Sequence, residues 1–232
     1  GIPASTASGF VHTATTRRLH FLMERACTRG KNVLIVGSAG SGRSLSMDQF
    51  AEERGRQIEV KRYVCSRGST STDLRRFMDC NTVQRNGNVY GAGAGRAMSA
   101  TFRDVDLLCR TGVDGGTGEA PYEVLRLLAE NGNWFKADDH LAAGTGSWCW
   151  IGDVTLFATA EFHGEESRDV ERLLRHFTVF AMPNLEEATL TQILTGKSFA
   201  NLRDLPGESH IPQVGDVTKD LCKATSAMFT TL

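Results

Sequence analysis

Val33-Leu34-Ile35-Val36-Gly37-Ser38-Ala39-Gly40-Ser41-Gly42-Arg43-Ser44 is the stretch whose reading decides the fold. Four branched apolar residues in a row read as a strand buried on both faces, the pattern of a parallel sheet covered by helices. The run empties into a glycine-rich turn ending in a hydroxyl residue, and helix-compatible sequence follows. Strand, glycine loop and helix in that order are the setting that the phosphate-binding pattern G-x-x-x-x-G-K-[ST] requires. One position departs from it: Arg43 stands where the pattern has lysine.

Upstream, residues 1–9 are small and polar and read as a loose lead-in or an expression remnant. Phe10 to Thr13 is a short extended piece. Leu19, Leu22, Met23 and Ala26 then recur at helical spacing from Thr15 to Cys27, with Thr15 or Thr16 as N-cap and Arg29-Gly30 at the end. Downstream, a helix from Ser44 to Arg54 closes at Gly55, and Ile58–Val64 reads as a partly exposed strand. A hydroxyl-rich loop over 66–72 leads to a short helix over 73–81, and residues 85–96 form a glycine-dense, hairpin-like loop. Met98 to Leu108 reads as a weak strand, interrupted by Ser99, Thr101 and Arg103. Residues 112–118 are a flexible loop by composition. Pro121 opens a helix whose Val124, Leu125 and Leu128 share a face. Trp148–Ile151 and Val154–Ala158 read as strands, 169–176 as a helix, and 177–182 as a last strand stopped by Pro183.

Strands alternating with helices after such a start predict an α/β fold: three layers around a mostly parallel sheet. Ligands on such sheets bind at the carboxyl ends of the strands, where this loop sits. From Leu185 the pattern turns helical, and a second helical patch over 217–229 follows a polar linker with Pro206, Gly207 and Pro212. The expected division is therefore a lead-in over 1–9, an α/β domain over 10–184, and the beginning of a helical appendage over 185–232.

At 232 residues the chain suffices for one sizeable core, or for one core plus an appendage. Its net charge of -1 gives no support to a nucleic-acid surface. No apolar run approaches the ~20 residues of a membrane span. The six cysteines contain no C-x-x-C pair, which argues against a metal knuckle or disulfide framework and for a reducing, cytosolic setting.

The loop's chemistry follows from its backbone. Converging N–H groups and a helix N-terminus grip a phosphate, so glycines stand where the backbone must approach closely. Gly37, Ser38, Ala39, Gly40, Ser41, Gly42, Arg43 and Ser44 form the candidate cradle for a nucleotide, with the Ser44 hydroxyl the candidate Mg²⁺ contact. Arginine keeps the lysine's charge but replaces a compact ammonium with a longer planar fork, so binding is expected to weaken and catalysis to suffer more. The competing reading is a glycine-rich turn with no ligand. Hydrolysis also needs acids at the end of a neighbouring strand. Asp104 and Asp106 are the candidates, set against a plain surface loop. Arg172 and Arg175 lie at a helix-to-strand junction, where arginines can neutralise a neighbour's phosphate or simply cap a solvated helix end. The histidines, His163 and His176 among them, lack metal-ligand spacing, and Trp134, Trp148 and Trp150 read as packing residues.

Several stretches together resemble one module type, the third AAA+ module of the dynein heavy chain. Phe10-Val11-His12-Thr13-Ala14-Thr15-Thr16-Arg17 resembles its opening F-V-P-T-x-x-T-x-R, and Arg85-Asn86-Gly87-Asn88-Val89-Tyr90-Gly91 its R-R-K-G-V-Y-G loop. Glu123-Val124-Leu125-Arg126 and Asn131-Gly132-Asn133-Trp134-Phe135 are similar to its E-L-L-R and H-G-G-W-Y. Arg172-Leu173-Leu174-Arg175-His176-Phe177-Thr178-Val179 is similar to its R-F-L-R-H-F-N-V. The likeness runs in order from about residue 10 to about 195, although the G-S-G-R of the loop looks more like the family's fourth module.

The resemblance implies a P-loop NTPase (AAA+) fold followed by the start of a helical lid, one of six modules in a ring that moves along microtubules. It implies that Val11 and His12 lie near the adenine of ADP or ATP, that Gly37 to Leu45 wrap its phosphates, and that Arg175 is an arginine finger acting on the nucleotide of the neighbouring module. Its partners would be the adjoining modules of the same chain, with microtubules reached through distant parts of the parent. The setting would be cytoplasm and cytoskeleton, and the R-x-G-x-V-Y-G likeness leans to a ciliary axoneme. The departures matter equally. Arg103 falls where the family has its Mg²⁺-holding aspartate, Asp104 falls at the second acid, and the γ-phosphate sensor falls near Ala160-Glu161. The expected function is a nucleotide-binding regulatory station with weak or absent hydrolysis. The alternative is an empty spacer of the same ring; a stand-alone P-loop ATPase is disfavoured. The isolated chain is expected to be a monomer.

Overall fold

The computed structural model describes residues 10–55, 58–93, 96–109, 120–137, 146–161, 168–203 and 211–230. The lead-in, the 112–118 loop, His163, Pro206 and Gly207 lie outside them. The chain divides into two units: Leu22–Met182, and the segments on either side of it.

The first unit is built on β1 (Val33–Val36), with Val33, Leu34 and Ile35 fully buried. It lies between β8 (Val154–Ala160) and β9 (Thr178–Ala181), parallel to both, with Val36 opposite Ala160 and Ala181. Beyond β8 come β5 (Ala97–Arg103) and the edge strand β2 (Ile58–Val64), again parallel, giving the order β2-β5-β8-β1-β9. Helices α2 (Arg43–Arg54), α3 (Ser71–Asn81), α5 (Pro121–Asn131) and α6 (Arg168–Leu174) flank this five-stranded sheet. The fold is therefore α/β with a parallel central sheet, consistent with a P-loop architecture.

Local chemistry sets the helix ends. Thr70 and Asp73 form a capping box: the Asp73 N–H donates to Thr70 Oγ1 (3.1 Å) and the Thr70 N–H to Asp73 Oδ2 (3.0 Å). This pair starts α3 at Ser71, two residues before the expected position. Pro121 occupies the first turn of α5, and Gly132 closes it at φ 62° with its N–H on the Leu128 carbonyl.

Three expectations are corrected. The weak strand over 98–108 is β5, which stops at Arg103 and gives way to the short helix α4 (Asp106–Cys109). Its centre is fully covered, because Thr101 hides its hydroxyl by donating to the Lys61 carbonyl at 3.0 Å. A second, four-stranded sheet was not expected: β3 (Val83–Asn86), β4 (Val89–Gly91), β7 (Gly146–Ile151) and β6 (Asn133–Ala137), in that order. The two neighbouring strands read at 148–151 and 154–158 thus belong to different sheets. The tryptophans also differ among themselves. Trp134 is buried and donates to Asp79 Oδ1 at 3.0 Å, whereas Trp148 and Trp150 are 44% and 45% exposed.

In the second unit, Thr13 caps α1 (Ala14–Cys27), rather than Thr15 or Thr16. The Thr16 N–H donates to Thr13 Oγ1 (3.2 Å) and the Thr13 N–H to Thr16 Oγ1 (2.9 Å). The far end of the chain forms α7 (Glu187–Arg203) and α8 (Ile211–Thr230), which pack together, with the buried Ser226 hydroxyl on the Glu187 carbonyl. Pro212 sits in the first turn of α8, not in a linker. Among the described residues, no helix is long and apolar enough to cross a membrane.

Candidate functional site

The glycine loop joins β1 to α2. The Gly37 N–H donates to the Ala160 carbonyl (3.3 Å), continuing the β1–β8 ladder by one bond, and the Ser41 N–H donates to the Ser38 carbonyl (3.3 Å). Gly40 and Gly42 have φ of 77° and 87°, a left-handed backbone that side chains strain to adopt. Gly37 is needed for space: a Cβ there would lie 2.8 Å from Ser41 Oγ and 2.9 Å from the Met182 carbonyl oxygen. Ser41 Oγ is buried without a hydrogen-bond partner among the described residues. Positive-φ glycines, a close backbone approach and an orphaned hydroxyl beside a 12-residue helix fit the demands of a phosphate cradle.

Arg43 does not extend into solvent. Its side chain is 11% exposed, and its guanidinium turns back to donate through Nη1 to the Gly37 carbonyl. Nη2 reaches Asp104 Oδ1 at 3.2 Å and Glu161 Oε2 at 3.5 Å. The other Glu161 oxygen accepts the Ala39 N–H of the loop at 2.8 Å. Glu161 follows β8 directly, and its own N–H donates to Asp106 Oδ1 at 3.1 Å. One guanidinium therefore ties the first residue of the loop to the ends of β5 and β8, and two carboxylates face it.

Asp104 stands after β5 at φ 56°, its N–H on Thr159 Oγ1 at 3.1 Å. Ser44 Oγ lies 3.5 Å from the same threonine hydroxyl. Arg103 turns the other way and pairs with Asp48 on α2, a carboxylate that Arg62 also reaches at 3.3 Å. The Ser44 hydroxyl thus faces the Thr159 hydroxyl, and the carboxylate of Asp104, at the end of β5, is already engaged by Arg43. Mg²⁺ is ordinarily held by one or two carboxylates plus phosphate oxygens. This donor set is a poor fit to it.

Arg175 lies in the turn between α6 and β9, exposed, and makes no ion pair among the described residues. Arg172 is held at 3.0 Å by Glu123, which also binds Arg126 at 2.6 Å and raises that guanidinium's pKa. Val11 is buried, and His12 packs its ring edge-on to Phe10 and His20 at 5.0 and 5.7 Å within the second unit. Sequence reasoning did not assign Thr159 or Asp48 to the site, and it touched Glu161 only as the neighbourhood of an altered γ-phosphate sensor. No local pattern marks them, since each is brought to the loop by strand register or helix packing alone.

Comparison with known proteins matches the family model described as P-loop containing dynein motor region, over residues 3–185. The chain belongs to this dynein motor region family. Among its relatives, dynein axonemal heavy chain 10 of Homo sapiens is 24% identical over 182 residues, covering 78% of this chain and 4% of the relative. Dynein axonemal heavy chain 1 of Homo sapiens is 22% identical across 96% of this chain, which spans 5% of that protein. The ciliary dynein beta chain of Tripneustes gratilla is 23% identical across 94% of this chain, again 5% of its own length. The chain therefore has the extent of one portion of a dynein motor region, and its departures from the phosphate-loop pattern are departures within that family.

Proposed function

We propose that this chain is a nucleotide-holding AAA+ module of an axonemal dynein heavy chain that hydrolyses ATP slowly or not at all. It acts as a regulatory station, passing conformational state between neighbouring modules. The observation that carries this reading is the contrast across the site. The glycine cradle has the backbone that phosphate binding needs, while the position of the metal-holding acid is Arg103, locked onto Asp48. The ordered motif likeness favours the third module of the ring. Residues 10–184 correspond to the large subdomain and 185–232 to the start of the lid.

Arg175 would serve the neighbouring module's nucleotide rather than this chain's own, in keeping with an exposed guanidinium without an ion pair among the described residues. The parent protein would work in the cytoskeleton of a cilium or flagellum, contacting microtubules through other parts, and the isolated chain would be a monomer. One observation favours the second reading, a nucleotide-free spacer: the Ala39 amide is already taken by the Glu161 carboxylate.

Isothermal titration with ADP and ATP, run beside a phosphate-release assay, tests the proposal. The expected outcome is measurable ADP binding without sustained Mg²⁺-dependent turnover. Brisk turnover would end the regulatory reading, and no binding at millimolar nucleotide would leave the spacer.

A further inference from the structure

We propose that Glu161 is a built-in anion that occupies the phosphate cradle and competes with nucleotide for it. This deepens the nucleotide-holding reading above and rests on it. The Ala39 N–H belongs to the backbone run that would wrap a phosphate, yet its acceptor at 2.8 Å is a carboxylate 122 residues further along the chain. The loop's cation, Arg43, lies 3.5 Å from the second oxygen of that carboxylate. One side chain thus presents two anionic oxygens to the amide and the guanidinium that a phosphate would use, which is charge-assisted bonding of the same kind.

The charge balance makes the two occupants exclusive. Arg43 supplies one positive charge against Asp104 and Glu161. A phosphate added beside both carboxylates would place like charges within a few ångströms, which disfavours holding all three unless one leaves. Glu161 is the one built to leave. Its backbone is anchored through its N–H to Asp106, so the side chain can release the cradle while the main chain stays in place. The Ser41 hydroxyl, buried and unpartnered among the described residues, would then find an acceptor in the arriving phosphate. Nucleotide occupancy is then set by the balance between an internal carboxylate and an external phosphate.

The test titrates the 232-residue chain and its Glu161→Gln and Glu161→Asp variants with ADP, after circular dichroism has shown each to be folded. Glutamine keeps the size and loses the charge; aspartate keeps the charge and loses the reach to Ala39. Both are expected to bind ADP about tenfold more tightly than the parent, or about 1.4 kcal/mol. Hydrogen exchange without nucleotide reads the contact directly: the Ala39 amide is protected in the parent and exchanges faster in Glu161→Asp, whose shorter side chain does not reach it. If the parent binds ADP and the variants bind equally or more weakly, the competition is wrong and the nucleotide-holding reading stands. If no protein binds at millimolar ADP, that reading falls and the competition with it. An Ala39 amide that exchanges equally fast in all three proteins would overturn the contact itself.

Discussion

Arg103 is the residue at which this module's chemistry turns, because it places a cation where the dynein resemblance expects a metal-holding acid. Restoring the acid is not a clean reversal. Arg103 is paired with Asp48, with side chains 31% and 15% exposed, so Arg103→Asp sets two carboxylates against each other. Exposed pairs are worth about 0–1 kcal/mol and broken buried ones about 3–5 kcal/mol, so this half-buried case should cost about 2 kcal/mol. Urea unfolding checks it: the midpoint falls in Arg103→Asp and recovers in part in the double variant with Asp48→Asn. Neither variant should gain turnover, since Arg43 still holds Asp104 at 3.2 Å. Arg43 itself was legible as a wrong residue. That its guanidinium would fold back onto Gly37, Asp104 and Glu161 was not, because those partners are 6, 61 and 118 positions away.

At the scale of elements, strands with a continuous apolar pattern and helices with strong end signals were readable, and those with compensated polar residues were not. β1 and α5 lie where their sequences place them. β5 was misread because Ser99 and Thr101 look like solvent-facing residues, yet both are buried, the latter bonded to the Lys61 carbonyl. Helix α3 shows the opposite case, a terminus set by two residues. Thr70→Ala removes the acceptor for the Asp73 N–H and should cost about 1 kcal/mol in chemical unfolding. The same box has a pH signature. Hydrogen bonds from the Thr70 backbone and side chain hold the Asp73 carboxyl below its ordinary 3.8. A depressed folded-state value contributes stability above the unfolded value and loses it as pH falls through the folded one. The Thr70→Ala penalty should therefore be full at neutral pH and shrink below about pH 4, where the unfolded carboxyl takes up its proton. Unfolding series at several pH values measure this.

At the scale of the whole chain, nucleotide should act as a stability ligand. If ADP binds the folded cradle and not the unfolded chain, ADP at about one hundred times its dissociation constant adds about 2.7 kcal/mol. Thermal unfolding with and without ADP is expected to show that upward shift, and adding Mg²⁺ should raise it little further given the donor set around Ser44. A large extra shift from Mg²⁺ would contradict the poor metal fit described here. What the sequence by itself determined is local and periodic: a buried parallel strand, a glycine loop, the amphipathic helices and the ordered motifs of the dynein motor region. These follow from residue spacing, since hydrophobic period and glycine placement constrain the backbone wherever the chain folds. Only the tertiary structure decided which side chains face the loop. Parallel register sets Ile35 beside Thr159 and Val36 beside Ala160, which delivers Glu161 to the Ala39 amide. An ion cluster of that kind depends on distance in space, and distance along the chain does not contain it.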